Sequence, residues 1–248
     1  MRKTILITGA SSGLGEGMAR LFAAKNRDLA LCARRTDRLE ALRAELMAAH
    51  PGIRILVKAL DVNDYDSVFI VFREFAAELG GLDRVIVNAG LGKGAPIGTG
   101  YFRANRQTAE TNFIGALAQC EAALEIFRKQ NQGHLVMVSS ISAMRGMPGP
   151  ISTYAATKAA VKALTEGIRL DLWKSPIKVT TIYPGYIRSE MNEKLKNTPF
   201  IVDTMTGCRA LVAAIEREPD EASVPPWPWK LMGFLLRNLP LGMAKRLM

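Results

Sequence analysis

The chain has 248 residues and a mass of 27.1 kDa, enough for one large domain or two small ones with a substantial core. Hydrophobic residues make up 48% and charged residues 23%, which excludes a disordered or fibrous chain. The net charge of +10 fits nucleic acid, an anionic membrane surface or a phosphate-bearing ligand. Because the basic residues are scattered and no nucleic-acid motif accompanies them, we expect no nucleic-acid partner.

The cysteines and the apolar runs indicate the compartment. Cys32, Cys120 and Cys208 are odd in number and far apart, and no second cysteine or histidine stands near enough to suggest zinc. No apolar run approaches the roughly 20 residues of a membrane-spanning helix. We therefore expect a cytoplasmic protein with reduced thiols, no metal and no membrane span.

Short apolar runs alternate with segments of helical periodicity, as in successive βαβ units. Strands are predicted at Ile5–Ile7, Leu29–Ala33, Ile53–Ala59, Arg84–Val87, His134–Val138 and Lys178–Ile182, and helices at Gly13–Ala24, Arg38–Ala49, Asp64–Leu79, Arg103–Lys129, Ser152–Trp173 and Thr204–Glu216. The strands are rich in Val, Ile and Leu without polar alternation, as expected when helices cover both faces of a parallel sheet. The sequence predicts an α/β fold with a doubly wound parallel sheet, a single domain of the Rossmann type.

The end of the chain differs from the rest in composition. We assign residues 1–223 to the Rossmann-type domain and residues 224–248 to an apolar, basic extension with four cations and no acid. Its prolines prevent one long amphipathic helix and leave a short one at Lys230–Asn238. The composition fits a peripheral membrane contact, or packing against the protein itself or a second subunit, and we favour packing.

A glycine-rich turn joins the first predicted strand to the first helix. Its spacing is TGxxxGxG, from Thr8 to Gly15, and not the GxGxxG of ordinary dinucleotide-binding turns. Glycines there permit a close approach of the backbone to a ligand, and the free N–H groups of the helix start favour a pyrophosphate. Such a turn also occurs for geometric reasons alone, but its position after the first strand favours a nucleotide. The predicted cofactor contacts are Gly9, Ser11, Ser12, Gly13, Leu14 and Gly15.

The end of the second predicted strand indicates which cofactor is used. Enzymes that prefer NAD usually place an acid there, about 20 residues beyond the glycines, to accept from the ribose hydroxyl. This chain has Arg34 and Arg35 instead, and a guanidinium can bind a 2′-phosphate through paired hydrogen bonds. The alternative is that both arginines are merely exposed charges before a helix. The sequence favours NADP(H).

Tyr154 and Lys158 stand four residues apart in a predicted helix, so both side chains project from one face. A phenol with a pKa of about 10 is a poor acid or base at neutral pH, but a nearby ammonium lowers that pKa. Tyrosine could then exchange a proton with a substrate oxygen. The same pair also arises often by chance on a surface, so its meaning depends on its context.

In that context the chain resembles the classical short-chain dehydrogenase/reductase family over roughly Lys3 to Thr206. Besides the glycine turn, the family's landmarks recur in order: the adenine contact Asp61-Val62, the sheet-stabilising motif Asn88-Ala89-Gly90, the catalytic tetrad Asn112, Ser140, Tyr154 and Lys158, and the nicotinamide-side loop Pro184-Gly185 with Ile187 and Ser189. The stretch from Tyr186 to Asp203 resembles the family's substrate lid, so we place a lid at about 186–203.

The resemblance implies roles for the tetrad. Hydride would pass between nicotinamide and the substrate carbonyl carbon while Tyr154 exchanges the proton. Ser140 would bind the carbonyl oxygen, and Lys158 would hold the nicotinamide ribose and lower the tyrosine pKa. Asn112 would help to position a water relay behind the lysine.

Three serines are candidates for the catalytic position. Ser140 lies one residue further upstream of Tyr154 than the family's commonest spacing, which leaves Ser139 and Ser142 as alternatives. We keep Ser140 because it lies where the loop leaves the fifth strand, and ligands bind at the carboxyl ends of such strands.

The resemblance implies an NADPH-dependent carbonyl reductase, or the reverse alcohol dehydrogenase, acting on an apolar ketone, aldehyde or acyl compound. A 3-oxoacyl reductase of lipid ketones is a second hypothesis. An NADP-binding regulator without turnover is a third, but the intact tetrad argues against it. The resemblance also implies a homodimer or homotetramer, formed through the long helices predicted at 103–129 and 152–173.

Overall fold

The computed structural model describes residues 2–193 and 198–247, in which a parallel sheet is covered by helices on both faces. The strands are β1 (Thr4–Thr8), β2 (Asp28–Ala33), β3 (Ile55–Ala59), β4 (Arg84–Val87), β5 (Gly133–Val138), β6 (Ile177–Pro184) and β7 (Glu221–Val224). The helices are α1 (Gly13–Ala23), α2 (Thr36–Ala49), α3 (Tyr65–Leu79), α4 (Phe102–Ala109), α5 (Gly115–Gln130), α6 (Ser152–Asp171), α7 (Thr204–Glu216), α8 (Pro226–Asn238) and α9 (Leu241–Ala244). The predicted doubly wound, single-domain fold is confirmed.

The strand order determines where a ligand can bind. The sheet runs β3-β2-β1-β4-β5-β6-β7, and every neighbouring pair is parallel. After β3 at one edge, the chain returns to place β4 beside β1, so the order of the strands reverses at that point. In open sheets of this kind the crevice outside the carboxyl ends of the two strands is the ligand site.

Two apolar cores lie on opposite faces of the sheet. All residues of β2, β4 and β5 are buried, which explains why these strands show no polar alternation. One core includes Phe72 of α3 and Phe127 of α5, and the other includes Phe22 of α1 and Leu211 of α7. Each helix layer therefore fixes one side of the strand ends that form the crevice.

Local sequence sets several helix ends. Asp64 precedes α3 and Asp203 precedes α7, and each carboxylate accepts a hydrogen bond from the backbone N–H three residues later. Helix α3 is followed by Gly80 and α5 by Asn131, both in the left-handed conformation that ends helices. These signals explain why the predicted bounds of α3 and α7 agree closely with the structure.

The single helix predicted at Arg103–Lys129 is wrong. The segment is divided into α4, a π-helical turn at Glu110–Ile114, and α5. Helix α5 begins at Gly115, where a β-carbon would lie 2.8 Å from the backbone oxygen of Val62. Helical periodicity continues through the interruption, so only contacts with distant residues could reveal it.

The last strand was not predicted. Strand β7 has only four residues, and just one of them, Val224, is fully buried. The boundary predicted between residues 223 and 224 falls inside this strand. The helical part of α8 follows a non-helical Trp227 and includes the helix predicted at Lys230–Asn238. Among residues 2–193 and 198–247, no helix is long and apolar enough to cross a membrane.

Candidate active site

A cleft of about 480 Å³ opens at the carboxyl ends of the strands. The predicted site residues that line it are Gly9, Ser11, Ser12, Gly13, Leu14, Arg34, Arg35, Asp61, Val62, Asn88, Ala89, Gly90, Ser140, Tyr154, Lys158, Pro184, Gly185, Ile187 and Ser189. Gly15 and Asn112 are buried behind its wall. No group of three or more metal-ligating side chains occurs in the part of the chain that the structure describes.

The glycine turn is packed too tightly for side chains. Gly9 has a φ of +64°, and a β-carbon there would lie 2.9 Å from the Cα of Ala89. At Gly15 a β-carbon would lie 2.4 Å from the backbone oxygen of Gly9. The side chain of Ser12, the residue before α1, makes no capping hydrogen bond. The first N–H groups of α1 are therefore left for an anion, which fits a dinucleotide pyrophosphate.

The Asn88 motif ties this turn to the end of β4. The Thr8 hydroxyl accepts hydrogen bonds from the backbone N–H groups of Asn88 and Ala89, both at 3.0 Å. The side-chain amide of Asn88 donates to the backbone oxygen of Thr8 at 2.9 Å. These bonds fix the spacing of β1 and β4 at the point where the crevice opens.

Helix α6 brings Tyr154 and Lys158 to the cleft. Ser140, which follows β5, lines the cleft together with Tyr154, and its hydroxyl acts on the phenol to oppose the rise in the tyrosine pKa. The Lys158 ammonium donates to the backbone oxygen of Val138 at 2.9 Å and lies 5.7 Å from the centroid of the tyrosine ring. The phenol of Tyr154, the hydroxyl of Ser140 and the ammonium of Lys158 therefore lie together near the end of β5.

The pKa values differ in part from the sequence-based expectation. Burial raises the pKa of Tyr154, and the hydrogen bond with Ser140 opposes this rise. The expected net lowering by Lys158 is not found, because the ammonium bonds to Val138 and burial dominates at the phenol. Burial also lowers the pKa of Lys158 to about 8.

The three candidate serines occupy different environments. Ser140 lines the cleft, and its hydroxyl oxygen accepts from the backbone N–H of Ser142 at 3.2 Å. Ser139 also lines the cleft, but its hydroxyl donates to the backbone oxygen of Lys158 at 2.8 Å. Ser142 is buried, and its hydroxyl has no hydrogen-bond partner among the described residues. Of the three, only Ser140 acts on the pKa of Tyr154.

Asn112 is buried and forms hydrogen bonds to the backbone of Leu91, which lines the cleft. Its side chain accepts from the backbone N–H of Leu91 at 2.7 Å and donates to the oxygen of Leu91 at 2.9 Å. Its amide also donates to the Thr157 hydroxyl at 3.3 Å. A β-carbon at Gly90 would lie 3.4 Å from the Asn112 oxygen and 3.7 Å from the Lys158 nitrogen, so this glycine separates the two groups. The π-helical turn thus orients an amide beside the lysine.

The two arginines after β2 lie in different places. Arg34 is 71% exposed in its side chain and lies 3.9 Å from the carboxylate of Asp61. Arg35 instead donates to the Ser12 hydroxyl at 2.7 Å and to the Ser11 hydroxyl at 3.4 Å. A guanidinium therefore covers the part of the glycine turn that leads into α1.

The sequence analysis did not identify Arg38 and Glu190. Arg38 is in the first turn of α2 and binds the Glu190 carboxylate, as does Arg35. Hydrogen bonds from Arg38 and then Arg35 lower the pKa of Glu190 to about 2. No local pattern indicates this pairing, because the lid residue and α2 are far apart in the chain.

The described part of the predicted lid crosses the cleft, whereas residues 194–197 of that lid lie outside the described residues. Ile187 forms a β-bridge with Val202, which joins the two ends of the lid. Met191 lies against Gly92 across the cleft, where a β-carbon would be 2.6 Å from the methionine Cγ. The two sides of the cleft mouth therefore touch.

The C-terminal extension supports the loop after β6. Trp229 is 4% exposed, and a β-carbon at Gly185 would lie 2.1 Å from its ring. The ring also meets Tyr186 and Phe200 edge to face, with centroids 5.2 and 6.3 Å apart. The extension therefore packs, at least through this side chain, against its own chain.

The sequence of residues 3–199 matches the family described as short chain dehydrogenase. The chain belongs to this family. An uncharacterized oxidoreductase of Mycobacterium tuberculosis is 55% identical over 245 residues, which cover 99% of this chain and 97% of that protein. Dehydrogenase/reductase SDR family member 7B of Bos taurus is 35% identical over 76% of this chain and 59% of its own length.

Solved structures of the same family are similar over most of their length. A short-chain dehydrogenase from Sphingobium yanoikuyae in complex with NADPH has a TM-score of 0.82 and 26% identity, covering 96% of this chain and 97% of that chain. An alcohol dehydrogenase from Thermococcus sibiricus complexed with 5-hydroxy-NADP has a TM-score of 0.79 and 26% identity, covering 89% and 95%.

This short-chain dehydrogenase is therefore an oxidoreductase that acts on CH–OH or C=O groups, and its family uses nicotinamide cofactors. The predicted family and class of enzyme are confirmed.

Proposed function

We propose that this short-chain dehydrogenase transfers a hydride between NADP(H) and a carbonyl or alcohol substrate, with Ser140, Tyr154 and Lys158 as catalytic residues. The observation that carries the proposal is the meeting of these three side chains at the end of β5, beside the glycine turn. The cleft leaves this group open to a small molecule.

The chain's own residues handle the proton. A bound nicotinamide cofactor supplies or accepts the hydride. The Tyr154 phenol gives its proton to the carbonyl oxygen in reduction and takes it back in oxidation. The Ser140 hydroxyl binds the same oxygen, and the positive charge of Lys158 stabilises the phenolate as it forms. Asn112 keeps the Leu91 backbone in place beside the lysine.

The proposed cofactor contacts follow the length of the cleft. The start of α1 would bind the pyrophosphate, Asp61 and Val62 the adenine, and Ile187 and Ser189 the nicotinamide side. The preference for NADP(H) is supported by Arg34 and Arg35, which line the cleft where an acid would stand in an NAD enzyme. The NADPH complex of the Sphingobium yanoikuyae relative adds support from a similar fold.

The proposed substrate is an apolar ketone, aldehyde or acyl compound. Leu91 and Met191 line the cleft near the catalytic group, and methionine adapts its shape to different apolar ligands. The cytoplasmic location and the homo-oligomer stay predictions. Exposed Leu170 and Trp173, at the end of α6, support a subunit contact there.

The test uses the full-length protein with both reduced cofactors. NADPH should bind at least about tenfold more tightly than NADH in fluorescence titrations, because an ionic phosphate contact is gained. NADPH oxidation should depend on an added carbonyl compound from a panel of ketones and aldehydes. Tighter binding of NADH, or no oxidation with any member of the panel, would contradict the proposal.

An arginine variant with a matched control sharpens the test. Arg35→Gln should weaken NADPH binding about tenfold or more, because the proposed phosphate contact is lost. NADH binding should fall much less, because the lost bonds to Ser11 and Ser12 affect only the glycine turn, which both cofactors share. Arg43→Gln removes the same charge from α2, where Arg43 pairs with Glu40, and should change neither affinity. Equal losses for NADPH and NADH would argue against a phosphate contact at Arg35.

A further inference from the structure

Glu190 is held by two arginines in the cleft itself. One carboxylate oxygen accepts from Arg35 at 3.0 Å, and the other accepts from Arg38. The arginines come from the loop after β2 and from the first turn of α2, whereas Glu190 comes from the lid. Glu190 also lines the cleft together with Gly13 and Arg34. The Glu190 carboxylate therefore lies between Arg35 and Arg38 at one corner of the proposed cofactor site, which we call the basic corner.

This corner has the chemistry of a phosphate site. Two guanidinium groups that bind separate oxygens of one anion suit a phosphate as well as a carboxylate. Arg35 continues from Glu190 to the hydroxyls of Ser11 and Ser12, which add donors at the start of α1. Strand β2 ends without an acid that would repel a second anion.

We infer that Glu190 competes with the cofactor's 2′-phosphate for Arg35 and Arg38, and that Arg38 joins Arg35 as a determinant of NADP(H) specificity. The inference rests on the proposed use of NADP(H). Binding of the phosphate requires Glu190 to release both arginines. NADH carries no such phosphate and leaves both ion pairs in place.

The position of Glu190 links this exchange to the lid. Glu190 begins a short 3₁₀ turn, which Ser189 and Asn192 close with reciprocal side-chain hydrogen bonds. The next residue, Met191, lies against Gly92 on the other side of the cleft. Because both residues belong to one turn, the release of Glu190 by the 2′-phosphate alters the part of the lid that contacts the opposite wall. The turn from Ser189 to Asn192 therefore responds to NADPH and not to NADH.

The test measures dissociation constants for NADPH and NADH with the full-length protein and three variants. Glu190→Gln should bind NADPH about three- to tenfold more tightly, because two exposed ion pairs no longer compete with the phosphate. Its affinity for NADH should not change. Arg38→Gln should weaken NADPH binding and leave NADH binding unchanged. Glu193→Gln, an exposed lid residue with the same change of charge, should alter neither affinity.

Each outcome has a distinct meaning. The inference is overturned if Glu190→Gln leaves the affinity for NADPH unchanged, lowers it, or raises the affinities for NADPH and NADH equally. This holds even if the unmodified protein prefers NADPH, as the proposed function requires. An equal effect of Glu193→Gln would also overturn it, because the cause would be net charge. If the unmodified protein prefers NADH but Glu190→Gln still tightens NADPH selectively, the proposed cofactor is wrong and the competition by Glu190 stands.

Discussion

Lys158 donates a 2.9 Å hydrogen bond to the backbone oxygen of Val138, the last residue of β5. The bond ties the ammonium to the edge of the sheet and not to a carboxylate. The lysine is buried, and burial lowers its pKa to about 8. Its charge at neutral pH is therefore maintained at a cost to the folded state.

The Lys158→Met variant should be more stable than the unmodified protein at pH 7. The pKa of a free lysine is about 10.4, and its lowering to about 8 in Lys158 destabilises the folded protein by roughly 3 kcal/mol. The variant avoids this penalty but loses the hydrogen bond to Val138, which costs about 1 kcal/mol. Between pH 8 and 10.4 the unfolded chain binds more protons than the folded protein, so the unmodified protein becomes more stable as the pH rises through this range. The penalty for burying the charged lysine is therefore full below pH 8 and is lost by about pH 10.4. We expect a gain of about 1–2 kcal/mol at pH 7 that shrinks by pH 10, measured by urea unfolding.

A matched control for this effect is Lys162→Met. Lys162 lies one turn later on α6 and pairs with Glu166 near the surface. Its replacement should change stability little and independently of pH. A gain for Lys158→Met that does not vary with pH would show that burial of the charge is not its cause.

Tyr154→Phe should retain cofactor binding and lose most turnover. The change removes only the phenolic oxygen and leaves the ring in place. A positioned acid or base contributes about 10²- to 10⁴-fold to the rate, so kcat should fall by at least about 100-fold. Near-normal kcat, with unchanged NADPH affinity, would rule out the proposed proton transfer.

The serine variants should separate two neighbouring hydroxyls. Ser140→Ala should lower kcat by at least about tenfold, because it removes the hydrogen bond to Tyr154 and the donor for the substrate oxygen. Ser142→Ala should leave kcat almost unchanged and raise stability by about 1 kcal/mol, because this buried hydroxyl lacks a partner among the described residues. The opposite ranking in kcat would move the assignment to Ser142.

The sequence predicts features that depend on neighbouring residues. Six of the strands and the glycine turn were found from apolar runs and local spacing, and Tyr154 and Lys158 from one helical turn. The π-helical turn at Asn112 could not be found this way, because it is stabilised by hydrogen bonds to Leu91, 21 residues away.

Contacts between distant segments left no pattern in the sequence. Arg38 and Glu190 are separated by 152 positions, so their ion pair exists only once the sheet brings α2 and the lid together. Strand β7 has only four residues, two of them polar, and it becomes a strand because β6 offers a free edge. The sequence thus predicted the proposed catalytic residues but not the charged groups around the proposed cofactor site.

Two tryptophans of the C-terminal extension should differ sharply in their effect on stability. Trp229 is buried against Gly185, whereas Trp227 is 74% exposed. Trp229→Ala should lower the free energy of unfolding by about 3–5 kcal/mol, because it leaves a cavity beneath the loop after β6. Trp227→Ala should change it by less than about 0.5 kcal/mol. Urea unfolding of both variants measures the difference.

The same pair of variants separates packing from a membrane role for the extension. If the extension packs on its own chain, Trp229→Ala should also raise KM, since Trp229 contacts Gly185 and Tyr186 after β6, where we propose that the nicotinamide binds. A membrane anchor would instead rely on exposed Trp227 and Phe234 beside the cations of the extension. Trp227→Ala would then abolish binding to anionic vesicles. In the unmodified protein, salt would weaken that binding, because the attraction between the cations and the anionic surface acts only within a Debye length. We expect no vesicle binding at physiological salt, because the extension's largest buried side chain already has its partners within the chain.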